Sequence, residues 1–330
     1  MTDCALDVAG IGNAIVDVLA HADDAQLRAL GLAKGVMTLI DAQQAEDLYS
    51  RMGPGLECSG GSAANTIAGI AGLGGKTAFI GKVKADQLGG VFAHDLRSQG
   101  VIFSTKPAVN GPSTARCLIF VTPDAQRTMQ TYLGACIELG PEDIDADLVA
   151  NARVTYLEGY LWDPPAAKQA FRKAASIAHA AGRQVALSLS DPFCVERHRD
   201  EFRQLLADHV DILFANEAEI CSLFQADFDE ALRQARSLVA IGAVTRGAAG
   251  SVVFDSRNIV EQPAEPVADL VDTTGAGDLY AAGFLYGHSR SLGLAVAARL
   301  GGICAAEIIS HFGARPAVNL AQRIGDLGLA

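Results

Sequence analysis

From about residue 141 onward the chain alternates short apolar runs with longer helix-forming stretches, and that rhythm limits the architectures open to it. VTYLEG (154–159) precedes PPAAKQAFRKAASIAHAAG, and QVALSLS (184–190) precedes VERHRDEFRQLLADH. DILFA (211–215) precedes NEAEICSLF, and AVT and GSVVFD follow. Short apolar strands separated by helices pair in parallel, with helices covering both faces of the sheet. Residues 100 to 135 break this rhythm. There TARCLIFVTPDAQRTMQTYL reads as two extended runs joined by Pro-Asp-Ala-Gln, a β-hairpin, and GVMTLID (35–41) is a further extended piece able to pair with it. The expected molecule is α/β: a mainly parallel central sheet flanked by helices on both faces, with a small β appendage. A cleft between core and appendage is the expected ligand site.

Composition agrees with one large domain. The 330 residues are 50% hydrophobic and 19% charged, enough apolar material for an extensive core. A formal net charge of −12 disfavours nucleic acid as a partner, because phosphate backbones need a basic surface. No apolar run reaches the ~18 residues of a membrane span, and MTDCALDVAGIG lacks the basic and apolar regions of a secretion signal. Seven cysteines (4, 58, 117, 136, 194, 221 and 304) are scattered without CxxC spacing, as reduced thiols are. A cytoplasmic enzyme with neither nucleic-acid nor membrane partner is the expectation.

Five segments carry chemistry. GIGNAIVD (10–17) fails as a dinucleotide fingerprint because Ile15 stands where GxGxxG needs glycine. Asn13 and Asp17 are nevertheless polar groups at the end of an apolar strand. They are either a turn Asn with a solvated Asp or a pair that holds sugar hydroxyls. In SGGSAANTIAGIAGLGG (59–75), Gly60 and Gly61 permit unusual backbone angles and Ser62 is placed to cap the following helix. Asn65, in its first turn, can reach a ligand at the helix entrance. Asn216 and Glu219 in NEAE have capping-box spacing, which explains them structurally; alternatively Glu219 serves Mg²⁺ through water. In TRGAAGS, Thr245, Gly247 and Gly250 form either a simple turn or a close backbone approach to a nucleotide.

The last segment is VDTTGAGDLYAAGF (271–284). Two glycines and a run of helix formers make a turn feeding a helix, whose first N–H groups attract anions. Asp278 in that turn has a bland explanation, favourable placement on the helix dipole. Phosphoryl transfer explains more: the N–H groups of Gly275, Ala276 and Gly277 form an anion hole, and Asp278 accepts the proton of the attacking hydroxyl.

Together these segments resemble the ribokinase-like (PfkB) carbohydrate kinase family. DTTGAGD (272–278) is similar to its C-terminal signature and SGGSAANTIAGIAGLG to its N-terminal one, with GNAIVD, NEAE and TRGAAG in the family's order. The resemblance implies one kinase domain over 1–330, with a β lid inserted from about 13–45 and 105–133. Within the family the chain looks most like the adenosine kinases, through GIGNAIVDVLAHADDAQLRALGLAKG, LSLSDPF (187–193) and DILFANEAE. That likeness implies ATP-dependent phosphorylation of adenosine, with Asp17, Asn65 and Gly61 around the ribose and Asp278 as base. It further implies Arg127 approaching the phosphates from the lid, Tyr160 stacking on the base, Mg²⁺, and room for a monovalent cation such as K⁺. Two residues depart from the adenosine kinase pattern: Met37, where a polar lid residue is common, and Asp191, in place of a small one. A kinase for a free sugar such as ribose or fructose, and a nucleoside-sensing protein on this fold, remain as alternatives. Oligomeric state stays open between monomer and homodimer, since the exposed edge of the 114–132 hairpin only permits pairing.

Overall fold

A computed structural model describes residues 4–124 and 126–329. The strands in chain order are β1 (Leu6–Ile11), β2 (Ile15–His21), β3 (Met37–Leu39), β4 (Leu56–Gly60), β5 (Thr77–Ile80), β6 (Ala115–Val121) and β7 (Arg127–Tyr132). β8 (Ala152–Glu158), β9 (Gln184–Ser188), β10 (Ile212–Asn216), β11 (Ile241–Thr245), β12 (Ser251–Phe254) and β13 (Ile259–Gln262) follow. They form two sheets. The central one has the order β13-β12-β11-β10-β9-β8-β1-β5. Its six strands from β11 to β5 are parallel, and β12 and β13 close one edge antiparallel.

The parallel strands are apolar throughout because both of their faces are covered. In β1, LDVAGI, every residue but Asp7 is buried. Of the helices above and below, Ser62–Gly72 and Ala276–Ser289 are buried nearly all round, and the outer ones carry one apolar stripe. In Pro165–Ala180, proline begins the helix and Ala167, Ala170, Phe171, Ala174, Ala175 and Ala178 are buried at i, i+3, i+4 spacing. Two large cores result, one on each face. One gathers Val8, Phe79, Tyr156, Phe214 and Phe284; the other gathers Leu157, Trp162, Phe171 and Phe202.

The second sheet, order β3-β7-β6-β2-β4, is the lid. The hairpin β6–β7 is antiparallel, and β3 joins its edge in parallel at Met37–Met129. β4 corrects the expected boundary. It pairs antiparallel with β2 from Ile15–Gly60 to Leu19–Leu56, so the first lid segment runs to Gly60 and not to 45. β2 and β4 thus end beside each other, at Ile15 and Gly60, where the chain enters and leaves the core. All seven cysteines are unpaired. No helix of the described residues is long and apolar enough to cross a membrane.

Candidate active site

The helix Ala276–Ser289 begins at the turn DTTG. Gly275 caps it with φ 78°, a left-handed angle that disfavours any side chain. The N–H of Ala276 is spent inside the turn, donating to Thr273 O at 3.2 Å, so Ala276 offers no free amide to an anion. The N–H groups of Gly275, Gly277 and Asp278 have no acceptor among the described residues. The free amides at this turn are therefore those of Gly275, Gly277 and Asp278, with Asp278 in place of the expected Ala276.

Asp278 faces the start of the helix Ser62–Gly72. Ser62 Oγ donates to its Oδ1 at 2.6 Å and Asn65 Nδ2 to its Oδ2 at 3.0 Å. Ser62 is thus not a cap; that place belongs to Gly61, which has no side chain to use. Burial raises the Asp278 pKa, while Ser62, Asn65 and the charge of Arg315 oppose the rise. Each carboxylate oxygen keeps a lone pair for one further donor, so an acceptor hydroxyl can reach it.

Behind Asn65 stands Arg315, which sequence reasoning missed. Its Nη1 donates to Asn65 Oδ1 at 2.5 Å, and its Nη2 donates to Ser59 O at 2.8 Å and Ser59 Oγ at 2.7 Å. With its oxygen held by arginine, the Asn65 amide must present its NH₂ to Asp278, which settles its orientation. Glu158, at the end of β8, was missed as well. It accepts from Asn13 Nδ2 at 2.6 Å and from Ala63 N at 2.8 Å. It therefore ties the β1–β2 turn to the helix entrance, and burial pushes its pKa up to about 7.

Asp17 lies on β2 beside Gly60 and Gly61. A Cβ at Gly60 would come within 2.4 Å of the Asp17 carboxylate, and one at Gly61 within 2.2 Å of Asn13 O. Gly61 also has φ 95°. Gly60 makes room for Asp17 from behind and does not line the cavity itself; Gly61 does. Burial pushes Asp17 up to about 6, against the charges of Arg315 and Arg127, with Asp278 adding to the rise. Arg127, expected to approach the phosphates from the lid, has its Nη2 2.6 Å from Asp272 Oδ2, just ahead of the turn, and it borders a second cavity of about 510 Å³ between the lid and residues 312–315.

One cavity of about 940 Å³ collects the rest: Asn13, Asp17, Asn65, Asp278 and the Gly275–Gly277 turn on its polar floor, and Asn216, Glu219, Thr245 and Gly247 toward β10 and β11. Gly250 is not on its wall. With φ 84°, and Gln262 O only 2.1 Å from where a Cβ would sit, Gly250 serves the β11–β12 turn. Glu219 completes the capping box of Glu217–Phe224: its carboxylate accepts from Asn216 N at 2.9 Å and Asn216 Nδ2 at 2.7 Å. Burial pushes it up to about 7. At the other end the cavity wall is apolar: Met37, Leu39, Ile119, Met129 and Leu133 from the lid, with Tyr160 and Phe193 from the core. Tyr160 is 38% exposed and Phe193 73%.

A carboxylate at the mouth of an anion nest, facing a hydroxyl-binding floor, is the arrangement of a phosphotransferase. The sequence matches the description "pfkB family carbohydrate kinase" over residues 31–320. The chain belongs to this family. Adenosine kinase from Sinorhizobium meliloti is 53% identical, with a TM-score of 0.90, covering 98% of this chain and 99% of that one. A protein described as a probable sugar kinase from Rhizobium etli CFN 42 is 51% identical, with a TM-score of 0.92 over 99% and 100% of the two chains. ATP-dependent ribose-1-phosphate kinase of Halopiger xanaduensis is 33% identical over 236 residues, 69% of this chain and 73% of its own length.

This pfkB kinase is therefore an ATP-dependent phosphotransferase for a sugar or nucleoside. Among its described residues no three His, Cys, Asp or Glu side chains gather into a metal cage. Each Glu219 oxygen accepts one hydrogen bond and retains a lone pair, so this carboxylate fits a metal-bound water, as Mg²⁺ would require. A monovalent cation fits less well. Asp272, the carboxylate ahead of the nest, already accepts from Thr274 N at 3.0 Å and is paired with Arg127.

Proposed function

We propose that this kinase phosphorylates the 5′-hydroxyl of adenosine. The observation that carries this reading is the contrast across the acceptor end of the cavity. Its floor offers Asn13, Asp17 and Asn65 to hydroxyl groups, while its roof offers Met37, Leu39, Met129 and Tyr160. A ribose with a flat base above it matches both surfaces; a free sugar, polar on every side, leaves the apolar roof without a partner. The Sinorhizobium adenosine kinase, 53% identical along almost the whole chain, supports the same choice.

In this reading Asp17 accepts from the ribose hydroxyls and Asn65 holds the acceptor against Asp278. Asp278 takes the proton of the 5′-hydroxyl as the phosphoryl group arrives. The N–H groups of Gly275 and Gly277 and the helix N-terminus favour the charge on the phosphoryl oxygens. Asn216, Thr245 and Gly247 line the path for ATP. Mg²⁺, when bound, neutralises phosphate charge, which the crowd of carboxylates (Asp17, Asp191, Glu219, Asp278) would otherwise repel. The lid covers the acceptor and keeps water from competing as nucleophile. The test is ADP release from ATP and Mg²⁺ over adenosine, other nucleosides, ribose and fructose. Release that requires adenosine supports the proposal; release with a free sugar instead overturns the substrate while keeping the chemistry.

A further inference from the structure

Arg127 opens lid strand β7, and Asp272 opens the turn that builds the anion nest. Both are only 8% exposed. The guanidinium lies over the Phe312 ring, 4.7 Å from its centroid, while its Nη2 pairs with Asp272 Oδ2. The same carboxylate accepts from Thr274 N through Oδ1, and Gly313 N lies 3.4 Å from Oδ2. Three parts of the molecule therefore meet at one buried carboxylate. They are the lid, the turn before the catalytic helix, and the 312–315 segment that carries Arg315.

A buried carboxylate needs a counter-charge. It can come from a diffusible cation or from a side chain, and here a planar guanidinium stacked on an aromatic ring supplies it. We infer that Arg127 is the built-in counter-ion of Asp272: it latches the lid to the anion nest and takes the place of a monovalent cation, so that transfer does not require K⁺. Arg127 is a positioning residue in this account. It touches neither phosphate nor acceptor, and it acts by holding the turn 272–275 in the shape that aims the Gly275 and Gly277 amides. The inference rests on the kinase chemistry and not on the identity of the acceptor.

The experiment compares wild type, Arg127→Gln, Arg127→Lys and Arg127→Gln/Asp272→Asn in tetramethylammonium and in K⁺ buffers of equal ionic strength. Turnover, the KM for ATP and Tm are measured for each. Wild type should show the same turnover and Tm in both buffers. Arg127→Gln should lose up to about 10²-fold in kcat, as expected when a reacting group is displaced by about 1 Å, with a smaller change in KM. It should regain part of that loss in K⁺, together with a K⁺-dependent rise in Tm, because an ion bound only by the folded state stabilises it. The double variant should not respond to K⁺, and Arg127→Lys should keep more turnover than Arg127→Gln. A wild type that needs K⁺ for turnover, or whose Tm rises with it, overturns the inference. So does an Arg127→Gln enzyme with wild-type kcat in tetramethylammonium. If Arg127→Gln does not fold, the wild-type comparison alone decides, since Tm in the two buffers needs no substrate and no variant.

Discussion

The two ends of the large cavity are built in opposite ways. At the phosphoryl end the side chains around the carboxylate are held: Asp278 by Ser62 and Asn65, Asn65 by Arg315, and Asn13 by Glu158. At the acceptor's outer end the side chains are apolar and open to solvent, with Leu39 at 59% exposure on a lid strand only three residues long. The rigid end costs no reorganisation when charge develops, which is what transition-state stabilisation needs. Under the proposed function, chemistry and substrate choice fall to different residues, and substitutions should separate them.

The largest separation is expected at Asp278. Asp278→Asn keeps the shape and removes the base, so kcat should fall by at least about 10²-fold while ATP affinity, measured by calorimetry, is largely kept. Near-normal turnover in that variant would take Asp278 out of the base role. Asp17→Ala belongs to the acceptor side and should act on binding. Losing a charged partner for hydroxyl groups costs about 1.5–3 kcal/mol, so the acceptor KM should rise by roughly ten-fold or more with ATP binding intact. An unchanged acceptor KM would remove Asp17 from the hydroxyl site.

Smaller effects should follow at the apolar roof. Tyr160→Ala removes a stacking surface worth about 0.5–1.5 kcal/mol, so it should weaken adenosine several-fold and leave any basal ATP hydrolysis alone. A loss of hydrolysis as large as the loss of adenosine phosphorylation would erase the division between the two ends. The smallest effects concern pH. Ionised Asp278 is needed for turnover and its pKa is raised, so kcat/KM should fall as pH drops into the acidic range. Stability should move the other way. Asp17, held up to about 6, and Glu158 and Glu219, up to about 7, bind protons more tightly folded than unfolded. Their contribution is fully present below the pKa of an ordinary free carboxylate and is lost as pH rises through about 6 and 7. Glu158→Gln should accordingly flatten this part of the Tm profile; an unchanged profile would show that Glu158 carries no such proton.

Much of this was legible in one dimension. The helix-spaced apolar runs reported a parallel sheet because strands covered on both faces must be apolar throughout. DTTGAGD reported an anion nest because the nest is made by consecutive residues, and Gly275 and Gly61 do adopt the positive φ that their position asked for. Capping-box spacing at Asn216 and Glu219 was equally local, and the bond pattern is there. Ala276 was misread for a local reason too: the turn closes on Thr273 and uses its amide, a detail of backbone geometry that the motif does not carry.

What failed to show in the sequence was the side-chain pairing between distant segments around Asp278. Ser62 and Asp278 are 216 positions apart, Asn65 and Arg315 250, and Asn13 and Glu158 145. Arg315 stands in no segment singled out above, and Glu158 ends a strand, VTYLEG, that was read only for its apolar run. The likeness to adenosine kinases placed Arg127 on the lid near the phosphates, but its pairing with Asp272 and its stacking on Phe312 came only from the fold. The chain by itself determined the elements, the glycine turn and the carboxylate beside it, since those depend on spacing along the backbone. Which carboxylates are buried, which oxygens are already taken and which cation answers them were decided only by the tertiary fold, because desolvation and pairing depend on what the packing brings within a few ångströms.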